Sequence, residues 1–125
     1  MREILFKAKR LDNGEWVEGL LTVMWGQYHM INPKDENTAY PINTETICQY
    51  TGLTDKNGNK IWENTVIKDK YLKYRVVWDE EEGSWMLESI SGARYGVSGI
   101  GRINSEIFEV IGNIFDNPES LKRMG

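Results

Sequence analysis

The sequence predicts a mainly β fold: short antiparallel strands in a small half-open barrel or two packed sheets, with a short C-terminal helix. Three observations predict it. The chain carries 5 Trp, 6 Tyr and 3 Phe beside many Val, Ile and Thr, residues that suit a half-buried pleated surface. Its 12 glycines are spread along the chain as turn punctuation. Asn13-Gly14 and Asn57-Gly58 are strong short hairpin signals, because both central positions of a two-residue hairpin turn need positive φ.

Taken in order, a first strand is expected near Glu3–Arg10 and a second near Trp16–Trp25, joined at Asn13-Gly14. Residues Asn32–Asn43 hold Pro33 and Pro41 among polar residues and read as a long loop or an irregular edge. Leu72, Tyr74, Val76 and Trp78 alternate along one strand face, with Tyr71, Lys73, Arg75 and Val77 on the other. Asp79 to Gly83 turns that strand back into Ser84–Ile90. Ser91–Asn104 contains four glycines and reads as a flexible connection. Glu106–Phe115 is apolar on both faces, the mark of a central or interface strand. Gly112 inside it indicates a bulge or a close backbone approach. At the end, Asn117 as N-cap, Pro118 and Glu119 open a helix through Ser120–Met124. That is about two turns, which needs docking to be stable.

Length and charge bound the function. At 125 residues the chain is expected to form a single domain over 1–125, with a subdomain division near 44–52. No apolar run approaches the ~20 residues that span a bilayer, so no membrane partner is expected. The N-terminal charges Arg2, Glu3, Lys7, Lys9 and Arg10 interrupt any signal-peptide core. Fifteen Lys+Arg against nineteen Asp+Glu give a net charge of −4, unlike a nonspecific nucleic-acid coat, which neutralises phosphate with surplus lysine and arginine. Cys48 is the single cysteine, so neither an internal disulfide nor a cysteine zinc cluster forms within one chain. A reducing cytoplasm is therefore expected.

Three segments, in order along the chain, carry a family resemblance. They are Arg2-Glu3-Ile4-Leu5-Phe6-Lys7-Ala8 with Trp16-Val17-Glu18-Gly19, then Gln49 to Glu63 (QYTGLTDKNGNKIWE), then Phe108 to Glu119 (FEVIGNIFDNPE). The chain resembles the YopX family of phage and prophage proteins, whose function is uncharacterised. Family members commonly carry Gly-Asp after the Glu of the middle block, where this chain has Asn64-Thr65. The resemblance implies a phage or prophage origin and a cytoplasmic setting, and it supplies no catalytic residues.

Candidate chemistry is sparse. Asp55 to Asn59 looks like the start of a calcium loop, but Lys60 and Val66 stand where the loop needs glycine and a bidentate glutamate. A hairpin turn is the simpler reading. Asp79 to Glu82 is a carboxylate run on a turn and reads as a solvated tip. Lys68, Lys70, Lys73 and Arg75 lie among tyrosines. Tyr71, Lys73 and Arg75 on one face would stack bases and neutralise phosphates, or would simply cover apolar surface with their stems. His29, the only histidine, is weighed as a general base paired with a carboxylate. No catalytic set, cofactor or metal site is expected. The leading expectation is a non-enzymatic phage accessory protein, a β domain binding a protein partner or forming a homo-oligomer. The alternative is a nucleic-acid-binding barrel of SH3-like or OB-like type using Tyr71, Lys73 and Arg75.

Overall fold

A computed structural model describes residues 4–35, 37–89, 91–96 and 107–119. The chain divides into two compact units, Met1–Tyr50 and Thr51–Gly125. Among the described residues it is mainly β, with two antiparallel sheets and no closed barrel.

In the first unit, β1 (Phe6–Lys9) pairs with β2 (Trp16–Met24), β2 with β3 (Gln27–Ile31), and β3 with β4 (Ala39–Pro41). On its other side β1 pairs with the start of β5 (Cys48–Thr54), a strand that runs on into the second unit. Ala8, Met30 and Ile42 are buried, with Phe6, Val17, Leu21 and Ile47 packed around them. The alternation of β2 explains this: Val17, Gly19 and Leu21 face the core while Glu18 and Leu20 face out. Residues 32–43, expected as loop or irregular edge, contain the three-residue edge strand β4, which ends on Pro41 where no ladder N–H is needed.

The turns correct the sequence reading in an informative way. At Asn13-Gly14 only the glycine has positive φ, 72°. The connection is longer than two residues, since Lys9 is opposite Trp16 and the Arg10 N–H bonds the Glu15 carbonyl at 2.9 Å. Asn57-Gly58 behaves likewise: Gly58 N–H closes a turn on the Asp55 carbonyl at 3.1 Å and Gly58 alone is left-handed. The two-residue hairpin turn is Trp25-Gly26, with φ of 51° and 74°, between the paired residues Met24 and Gln27.

In the second unit the order is β10-β9-β8-β7-β11. The strands are β7 (Thr65–Lys68), β8 (Lys73–Asp79), β9 (Ser84–Ser89), β10 (Arg94–Gly96) and β11 (Glu109–Asn113), while β6 (Lys60–Trp62) adjoins β5. Ile61, Ile67, Tyr74, Val76, Trp85, Leu87 and Phe108 form the core. The expected alternation therefore holds at Tyr74 and Val76, whereas Trp78, at the hairpin end, is 40% exposed against Trp85. β11 is shorter than expected and lies at the sheet edge, not its centre. Its outer edge is partly capped: Val110 N–H bonds the Asp55 carboxylate and the Phe108 carbonyl accepts from Lys56 N–H. The bulge is present, with the register shifting between Val110 and Gly112.

Two further expectations change. Within Ser91–Asn104, Arg94–Gly96 is a strand, and residues 97–104 lie outside the described ones. The C-terminal helix is not found among the described residues. The Asn117 side chain turns back to accept from Asn113 N–H at 3.3 Å instead of capping a following turn, and 118–119 form a turn. Residues 120–124 lie outside the described ones. Among the described residues the one helical piece is the 3-10 turn Thr44–Thr46, capped by Asn43. No helix there is long and apolar enough to cross a membrane.

Candidate functional site

Two surfaces combine side chains in ways that burial in a core does not explain. The first is the free end of the β2–β3 hairpin. Val23 and Tyr28 face each other across the strands and are 56% and 43% exposed. Between them in sequence, Trp25 occupies the first turn position at φ 51° with 95% of its surface open. A bulky side chain at positive φ is strained, since its Cβ crowds the backbone. Asn or Gly would fill that position with less strain. Nothing in the packing of the unit offsets the strain, because a side chain so exposed buries almost no apolar area. Residue pattern carries no usable signal here: Trp25 reads as the last residue of a strand because Trp is a strong strand former.

The second surface surrounds the start of β11. Lys68 ends β7 opposite Glu109, the first residue of β11. Lys56 sits in the Asp55–Asn59 turn, which its own N–H ties to the Phe108 carbonyl at 3.0 Å. Both ammonium groups converge on a single oxygen, Glu109 Oε2, at 3.6 and 3.9 Å. These are ion pairs too long for hydrogen bonds. Lys56, Lys68, Asp69, Lys70, Ile107 and Glu109 line a hollow of about 330 Å³. Asp69 is already committed, its Oδ1 accepting from the N–H groups of Tyr71 and Leu72 at 2.8 and 2.7 Å.

The three residues expected to form a nucleic-acid face are only partly assembled. Lys73 and Arg75 project from the same face of β8, two residues apart. Arg75, however, donates from Nε and Nη2 to Asn64 Oδ1 at 3.2 and 2.9 Å. Tyr71 lies before β8, in the Asp69–Leu72 turn, and is 79% exposed. Lys73 is the register partner of Lys68, which carries the basic row toward the hollow. Lys56 and Glu109 were not legible as neighbours, because they come from segments 53 residues apart in the numbering.

The other singled-out groups have local roles. Asp55 is 1% exposed and its carboxylate accepts from the N–H groups of Asn57, Asn59 and Val110 and from the Asn59 amide. Burial alone would push this carboxyl up, but those donors outweigh it and hold it below its ordinary value. Asp79 is not part of a solvated tip: Arg94 spans it and Glu88, each at 2.9 Å, while Glu80, Glu81 and Glu82 are exposed. The Glu82 N–H and Arg94 hold the Asp79 carboxyl below its ordinary value. His29 bonds the Gln27 carbonyl through Nδ1, and buried Cys48 donates to the Thr46 carbonyl. Strands β2 and β1 lie between theirs, a lateral separation of about 14 Å. The structure does not bring them together.

Comparison with known proteins agrees with the architecture. A family model described as YopX protein matches residues 6–122. Among solved structures, the crystal structure of protein EF1440 from Enterococcus faecalis is similar, with a TM-score of 0.57 and 21% identity. The match covers 97% of this chain and 99% of that one, which shows a shared fold. No curated protein matches the chain.

Proposed function

The chain belongs to the YopX family, and from that premise we propose that it is a phage or prophage accessory protein of the host cytoplasm that works by binding protein. Its contact surface is the end of the β2–β3 hairpin, and the simplest partner is a second copy of itself. One observation carries this reading: Trp25 is held at positive φ and is 95% exposed. Such a residue costs more folding free energy than Asn or Gly would. Its large amphipathic ring instead suits the buried centre of a contact, where Trp and Tyr contribute most. Val23 and Tyr28 widen the same patch, and a two-fold pairing of like tips is the commonest way to cover one.

Sedimentation velocity across the micromolar range tests this. The expected result is a concentration-dependent shift from monomer to dimer. A wild-type chain that stays monomeric throughout removes the self-associating reading.

A further inference from the structure

We propose that Lys56, Lys68 and Lys70 hold a phosphate group in the hollow beside Glu109, and that Tyr71 stacks the base of the nucleotide that carries it. The proposal is independent of the hairpin contact. It rests on three elements meeting at one place: the Asp55–Asn59 turn, the end of β7 with the turn after it, and the start of β11.

The charge balance favours an anion. Three ammonium groups line the hollow with two carboxylates. Asp69 spends Oδ1 on two backbone N–H groups, and Glu109 offers one oxygen to two lysines at distances beyond hydrogen bonding. Each ammonium has three donors, so the lysines retain capacity that a phosphate, with its several acceptor oxygens, would fill at shorter range. A hollow of about 330 Å³ admits a phosphate with its sugar.

The aromatic partner distinguishes a nucleotide from a bare anion. Tyr71 is 79% exposed, and Lys70 Nζ stands 5.6 Å from its ring centroid. The arrangement sets an exposed ring, with one face toward the Lys70 ammonium, beside the hollow that this cation lines, the pairing of aromatic and cation that single-strand binders use for base and backbone. An acidic peptide would satisfy the lysines and leave the ring idle. Lys73, paired in register with Lys68, extends the basic row along the sheet. Arg75, committed to Asn64, is not part of the site.

Fluorescence anisotropy with a labelled oligothymidylate at low salt, competed by thymidine monophosphate and by an acidic peptide, tests the site. Lys56→Gln with Lys68→Gln should weaken binding at least tenfold and flatten the log–log salt dependence by about one unit or more. Tyr71→Ser should cost about tenfold. Glu109→Gln should tighten binding, because it removes the negative charge that competes for the lysines, and it separates a ligand site from a merely structural cluster. Competition by the mononucleotide assigns a free nucleotide, and binding of the oligonucleotide alone assigns a strand. Either supports the proposal. Absence of binding, wild-type affinity in the lysine variants, or an acidic peptide that binds as tightly with Tyr71→Ser without effect overturns it.

Discussion

Asp55 shows how one side chain fixes a turn and a strand together. Its Oδ1 organises the Asn57 and Asn59 N–H groups and its Oδ2 reaches Val110 N–H on β11. A carboxyl held below its ordinary value adds stability that is present above its unfolded pKa and lost as pH falls through the folded one. Stability should therefore decline from about pH 4 downward, and Asp55→Asn should remove that part of the decline. At neutral pH the same change turns an acceptor into a donor facing donors and should cost about 3 kcal/mol by denaturant unfolding. Gly19 is fixed by space: a Cβ there would strike the Ile31 carbonyl, which is backbone and cannot swing aside. Gly19→Ala should cost about 2 kcal/mol, measured the same way. The turn at Asp55 is legible from Asp-Lys-Asn-Gly-Asn, but its tie to a residue 55 positions away is not.

The hairpins of β1–β2 and β8–β9 are legible as elements because alternation and glycine both mark them. Turn lengths are less so: both Asn-Gly pairs sit in longer loops where only the glycine is left-handed. The β11 strand shows a second limit. Apolar residues on both faces indicate partial cover on each side, and every residue of β11 is half-buried, but they do not place it at centre or edge. Its bulge carries its own prediction. A Cβ on Gly112 would collide with the Asn117 side chain, whose Oδ1 accepts from Asn113 N–H. Gly112→Ala should break that bond and speed amide exchange at Asn113, with β8 unchanged. At the opposite edge, β10 is three residues long. Arg94, its first residue, pairs with Glu88 and Asp79. These charges are partly exposed and screened by solvent, so Arg94→Met should leave the midpoint of denaturant unfolding close to that of the wild type.

Across the whole molecule, family membership was readable from three blocks of sequence and the β class from alternation, aromatic content and glycine turns. The surfaces were readable only in part: Lys68, Lys70 and Tyr71 stand out as a basic and aromatic stretch, but not their meeting with Lys56 and Glu109. The basic hollow arises in a chain of net charge −4, because β7, β11 and the Asp55 turn converge there. The hairpin tip escapes sequence reading because a Trp in a turn imitates the end of a strand. The pairing of strain with exposure at Trp25 gives the most direct test, made on Trp25→Asn by thermal unfolding and sedimentation together. Relief of the positive φ should stabilise the fold by about 1 kcal/mol, while self-association disappears. A variant that associates as the wild type does, or that is less stable at concentrations where the wild type is monomeric, contradicts the assignment of Trp25 to a protein contact.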